Sequence, residues 1–436
     1  MSRHDVIPRL LLCCGLLLPA LASATNGYFP HGWGGRSSAL GGAGVALDGD
    51  AMLAATNPAA LAGIAGNELQ LGVSLIRAWP GYSAGTFTPP ATPLPPGAFP
   101  LRPGRFEAAA DTPGSLFVIP QGAVAWRIDP HSAAGLAVYA NGGLNATYDD
   151  FDNPACPAGT AQTGTYCGGR AASDLGQVFF APSYARQLHE RLRLGASLIL
   201  ALQWFDIEGL SAFAPLSSRP DRLSDNGHEF SVGYGLKLGL QVDVTDTLVL
   251  ALAGQTRIET TPLKKYEGLI ADGGRFDIPP YVTAGLAWQA HPRLTAVVDI
   301  QHIRFRAIPA LGNRVQSAAP LGTRDGPGFG WTNVTVHKIG AEFIASPKWT
   351  LRAGYSNNRD PIQSDQLFFN LLAGSVAQEH YTAGLSHRLT ADSHLNFAAM
   401  YAPRRVRRGI NAFFPDQSME VELEGLILDV SWQRRF

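Results

Sequence analysis

The chain ends on LILDVSWQRRF, Leu426 to Phe436, where Leu426, Leu428, Val430 and Trp432 take every second position before the terminal Phe436. A period of two is the signature of a strand whose two faces meet different surroundings. The same period runs back through the chain. In RLGASLILALQW, Leu194, Ala196, Leu198, Leu200, Leu202 and Trp204 share one face. Arg193, Gly195, Ser197, Ala201 and Gln203 share the other, with Ile199 the exception. WTLRAGYS sets Trp349, Leu351, Ala353 and Tyr355 against Thr350, Arg352, Gly354 and Ser356. HYTAGLSH repeats the pattern, with Tyr381, Ala383 and Leu385 opposite His380, Thr382, Gly384 and Ser386. A soluble sandwich would alternate as well, so the period gives strands without their setting.

The connectors give the setting. Short polar ones (IDPHSA, LHERL, VDVTDT, QAHPRL, ASPKW, RLTADS) alternate with long Gly/Pro/Asp-rich ones, near 80–114, 145–176, 206–228, 258–280, 306–332, 358–377 and 403–420. Short turns at one end and long loops at the other are the layout of an outer-membrane barrel. The count is about fourteen strands, an even number as such barrels require. Phe436, closing an alternating strand, resembles the signal read by the barrel-assembly machinery. The expectation is therefore an all-β, transmembrane antiparallel β-barrel.

Composition agrees. Only 16% of the 436 residues are charged, well below the roughly 25% of soluble domains. The net charge of −1 gives no electrostatic footprint for nucleic acid. The first 24 residues read as a signal peptide. Arg3 and Arg9 precede the apolar LLLCCGLLLPALASA, and Ala22-Ser23-Ala24 offers a small-x-small cleavage site. Cys13 and Cys14 leave with it. Cys156 and Cys167, close together in an exported chain, read as a disulfide across a surface loop. No metal site and no cofactor motif is expected.

Residues 25–66 precede the first strand and carry too few large apolar side chains to form a core of their own. Folded inside a barrel (residues 67–436), they would act as a plug. The stretch GRSSALGGAGVALDGDAMLAATNPAAL, Gly35 to Leu61, closely resembles the N-terminal hatch of the FadL/TodX family of outer-membrane transporters for hydrophobic compounds. Asn57-Pro58-Ala59 matches the hatch motif, and Gly35-Arg36, Ala39, Gly44, Ala46 and Asp48 match its spacing. LAVYANGGLNATYDD is similar to that family's third strand, and WTLRAGYSNNRDP to a late strand and loop. The resemblance implies a hatch in the lumen. It also implies a kinked third strand, here at Asn141-Gly142-Gly143, that opens a lateral gap in the wall.

The expected activity is passive uptake of hydrophobic compounds, either long-chain fatty acids or aromatic and aliphatic hydrocarbons, with lateral exit into the membrane. In the resembling family the mature N-terminus reaches the lumenal pocket, so Tyr28, Phe29 and Trp33 become candidate ligand contacts. Arg352 is a candidate anchor for a carboxylate. The expected partners are the bilayer, lipopolysaccharide, the hydrophobic ligand and the assembly machinery, the protein itself being a monomer. A general diffusion porin or a loop-mediated adhesin is the alternative. An enzyme is not expected: Gly81-Tyr82-Ser83-Ala84-Gly85 fits G-x-S-x-G, but a proline-rich run follows where a helix is needed.

Overall fold

The computed structural model describes residues 26–88, 97–109 and 116–436; the expected signal peptide lies outside them. In chain order the strands are β1 (Glu68–Ala84), β2 (Gly104–Glu107), β3 (Leu116–Asp129), β4 (Ser132–Tyr148), β5 (Ala171–His189) and β6 (Leu192–Glu208). There follow β7 (Glu229–Asp243), β8 (Leu248–Gln255), β9 (Glu259–Thr260), β10 (Tyr281–His291) and β11 (Leu294–Ile303). The last five are β12 (Val334–Ile344), β13 (Trp349–Asn358), β14 (Glu379–Thr390), β15 (Ser393–Asn411) and β16 (Phe414–Arg435). Each pairs antiparallel with its neighbours, and β16 returns to pair β1 from Glu68↔Arg435 to Ala84↔Met419. The short β2 and β9 are additions to β1 and β7, so the closed barrel has fourteen staves. The β1–β16 ladder closes the sheet on itself, so no first or last strand is left unpaired, the condition for a sheet in lipid.

Alternation does in space what it does in sequence. Along β6, Leu194, Leu198 and Leu200 are exposed on the outer wall, while Arg193, Ser197, Ile199, Ala201 and Gln203 are buried inside. Ile199 breaks the polarity pattern because it joins the apolar cluster that packs inside the barrel. No helix among the described residues is long and apolar enough to cross a membrane.

Three of the expected long loops differ. Residues 403–420 are mostly strand: β15 and β16 continue outward as a hairpin turning at 412–413. Cross-strand pairs Arg404–Glu422 and Arg408–Glu420 hold it together beyond the bilayer. Likewise β1 runs on through Pro80 to Ala84, so Ser83 sits in a strand rather than on a hydrolase elbow. Within the expected connector 358–377, the stretch DQLFFNLLAG, Asp365 to Gly374, folds inward. Leu367, Phe368 and Leu371 are fully buried in the molecule's main apolar cluster.

Inside the barrel lies the segment 26–64, almost all of it buried. It holds only short helical turns, at Gly34–Ser38, Ala51–Ala55 and Pro58–Gly63. Glycines on the inner wall let its backbone come close. A Cβ at Gly195 would lie 2.4 Å from the Ala59 nitrogen, and one at Gly239 would overlap the Asn57 side-chain oxygen at 1.8 Å. On the far side a Cβ at Gly354 would sit 2.2 Å from Gly41 N. Any larger residue at these places would push the segment away.

Candidate functional site: a lumenal cavity beside a break in the wall

Asn57 organises the lower part of the inner segment. Its side-chain oxygen accepts from the Ala59 N–H at 3.0 Å and caps the turn that begins at Pro58. Its amide donates to the Val45 carbonyl at 2.7 Å and to Leu240 of the wall at 3.3 Å. The triplet is a fastener between segment and barrel.

Charges complete the seating. Glu342 on β12 accepts from Arg36 of the segment through two bonds of 3.0 Å and from Arg352 on β13 at 2.6 Å. Arg352 therefore faces the lumen, where it pairs with an acid and Ser386. Arg193 is held between Asp48 and Asp243. Lys338 donates to the carbonyls of His31 (2.9 Å) and Gly42 (3.3 Å), while Asp299 accepts from the N–H groups of Gly44 and Val45. Burial, and then the Lys338 ammonium, push the His31 imidazole down to about 4.

Above this fastening the chain end carries aromatics. Tyr28 packs against Phe29, Phe276, Phe305 and Trp331, and Phe29 meets Tyr281 edge-on at 5.9 Å. Trp33 meets Tyr139 at 5.3 Å. Between them lies Lys237, fully buried, its ammonium 5.0 Å from the Trp33 ring and 5.3 Å from the Tyr139 ring. It donates to the Ala55 carbonyl and to the Tyr139 hydroxyl. The sequence carries a signal for it: Lys237 is a charged residue on the lumenal parity of GYGLKLG.

Next to Tyr28 and Phe276 opens a cavity of about 60 Å³. Leu144, Leu175, Phe205, Phe276, Phe329 and Leu372 give it an apolar wall. Its few hydroxyls are engaged: Ser173 donates to the Leu372 carbonyl at 2.7 Å and Tyr166 to the Phe368 carbonyl at 2.6 Å. Tyr166 is fixed by its neighbour in sequence, since Cys167 is disulfide-bonded to Cys156. Among the described residues, no charged side chain lines the space.

The wall beside the cavity is broken. β3 and β4 pair only from Asp129↔Ser132 to Gly122↔Val138. Above that, β3 keeps to β1 and β4 keeps to β5, so residues 116–121 and 139–148 are edges without a shared ladder. The cause is local. The register with β5 shifts between Ala140 and Gly142, Asn141 turns inward to donate to Gln177 at 3.0 Å, and Gly142 has φ 139°. The inner segment spans the break: the Trp33 indole N–H donates to the Ala140 carbonyl at 2.9 Å, and the Gly34 N–H to the Gln121 side chain at 3.0 Å.

Residues 21–407 match the family described as "Outer membrane protein transport protein (OMPP1/FadL/TodX)". The chain belongs to the FadL/TodX family. Solved structures share this fold. The Pseudomonas putida toluene transporter TodX superposes with a TM-score of 0.66 at 17% identity, over 93% of this chain and 99% of that one. A Pseudomonas aeruginosa FadL homologue gives 0.65 at 17% identity, over 96% and 100%. The Ralstonia pickettii toluene transporter TbuX gives 0.63 at 18%, over 93% and 99%. No curated protein matches the sequence. As a FadL/TodX protein the chain is an outer-membrane transport barrel for hydrophobic compounds.

Proposed function

We propose that this barrel carries small uncharged hydrophobic compounds, aromatic or aliphatic hydrocarbons in preference to fatty acids, passively across the outer leaflet. On this reading residues 25–66 are the hatch, and cargo leaves sideways between β3 and β4 into the bilayer. The observation that carries it is the cavity: an apolar wall, every hydroxyl engaged, no cation facing in. Each methylene moved there from water gains ~0.8 kcal/mol, whereas a carboxylate would lose its hydration with nothing to replace it. The volume of about 60 Å³ is below the ~150 Å³ that holds a benzene ring. On this reading the cavity is closed as it stands, and cargo enters as lining side chains give way.

One residue supports the fatty-acid reading. Lys237 is a buried cation with no acid among its bonded partners in the described residues, so a carboxylate drawn to Tyr139 would find a counter-charge. Labelled toluene and labelled oleate, given to cells without their own transporter, separate the two. Toluene uptake above the empty-vector level, with oleate at background, is the expected result. Oleate uptake lost in Lys237→Met would replace it with the fatty-acid reading. Neither uptake, from an assembled barrel, would return the adhesin.

A further inference from the structure

By alternation along β6, Trp204 points outward with Leu198, Leu200 and Leu202. Its cross-strand partner on β7, Phe230, is 54% exposed and Leu200 is 44% exposed, yet Trp204 is only 6% exposed. On the neighbouring strands Gly176 of β5 and Gly143 of β4 carry the row onward, Trp204↔Gly176↔Gly143, and both are buried as well. Something covers the outer face of β4–β6 here. Trp204 packs with Ile119, and Ile76, Ala140 and Val178 lie against the pair. Ile76 and Ile119 belong to the inward-facing sets of β1 and β3, with Gln70 and Ala123, whereas Val178 and Trp204 belong to the outward-facing sets of β5 and β6.

Inward side chains of one edge can rest on outward side chains of the other only if the edges overlap. The upper halves of β4–β6 are tucked behind β1–β3, whose outer face keeps Leu116 and Val118 exposed. The break in the wall is thus a lapped seam rather than a hole. Gly176 and Gly143, the next two places in the row, place no side chain beside the indole. Above the seam the same two layers part into a cleft of about 650 Å³, with Ala78 and Phe117 on one side and Thr147, Asp174 and Glu208 on the other. Its charged lining is a poor surface for apolar cargo. The apolar way out is below, past Trp204.

Resting on the transport reading above, we propose that Trp204 is the specificity-determining residue of the exit: its indole, beside Gly176 in the sheet and packed on Ile119 of the other edge, sets the largest cargo that can slip between the lapped edges. Shape exclusion of this kind is graded by ring size and leaves small cargo almost untouched. The test is uptake of labelled toluene and labelled phenanthrene by cells expressing wild type, Trp204→Ala, Trp204→Phe or Ile119→Trp, each checked for the heat-modifiable mobility of an assembled barrel. Trp204→Ala should raise the phenanthrene-to-toluene ratio by about tenfold, the discrimination a close-fitting apolar site commonly provides. Trp204→Phe should fall between, and Ile119→Trp, which adds bulk on the opposite lip, should lower the ratio. An unchanged ratio in assembled Trp204→Ala overturns the proposal while toluene uptake leaves the transport reading standing. If Trp204→Ala fails to assemble, an unchanged ratio in Ile119→Trp overturns it instead. Absence of toluene uptake by the wild type overturns both.

Discussion

His31 is a neutral imidazole in a place that refuses a proton. Its Nε2 meets the Ser38 carbonyl at 3.2 Å, Lys338 donates to its backbone carbonyl, and His380 lies close by on β14. With its titration moved from the ordinary 6.5 to about 4, the seated segment binds fewer protons than a released one between those two values. The stability contributed by the neutral ring is therefore present above pH 6.5 and is lost as the pH falls through 4. A separation of this size amounts to at most ~3 kcal/mol. Protease cleavage within residues 26–64 should accelerate between pH 7 and pH 5 in the wild type. In His31→Gln the pH dependence over that interval should flatten. Equal steepness in both would place the acid sensitivity elsewhere.

The N-terminal segment is an element with little regular structure, so its position is fixed by the wall. Gly195, Gly239 and Gly354 give it room, and the Arg36–Glu342–Arg352 triad ties it to β12 and β13. Breaking a buried pair from one side costs ~3–5 kcal/mol because the remaining charge has no partner. Glu342→Gln strands two guanidiniums and should unseat the segment, read as protease sensitivity before β1 with the barrel still intact. Arg352→Gln leaves Arg36 its carboxylate and should have the smaller effect. Equal protection of Glu342→Gln and wild type would remove the triad from the seating. Strands of this kind were legible in the sequence because a two-residue period needs no distant information: β6, β13 and β14 all follow it. The glycine pair after Asn141 was visible in the sequence, and the β4–β5 register shifts between Ala140 and Gly142. Other features were not readable. That Arg352 meets Glu342 depends on the register between β12 and β13, and the covering of Trp204 depends on a contact with Ile119, far from it in the chain. The 403–420 hairpin was missed because its arginines and glutamates read as loop polarity until they face each other across β15 and β16.

At the scale of the molecule, fourteen staves are too many for side chains alone to fill. Eight-stranded barrels close on their own interior, while sixteen- to eighteen-stranded porins enclose an aqueous channel. Here the inner face is small or polar at many positions, among them Gly195, Ser197, Gln203, Gly239, Gln241 and Asp299, several of them bonded to the inner segment rather than to one another. Without that segment they would be wetted, and the wall glycines would line open space. Deleting residues 25–66 should therefore leave a barrel that still assembles, since the β1–β16 ladder starts at Glu68. In planar bilayers the deletion protein should show a steady ionic conductance that the full chain lacks, and cells should become sensitive to bulky polar antibiotics that the outer membrane normally excludes. Its toluene-over-oleate preference should also vanish, because the cavity loses Tyr28 from behind Phe276. An assembled deletion barrel that neither conducts nor loses selectivity would mean that the buried stretch carrying Phe368 and Leu372 closes the lumen without the hatch.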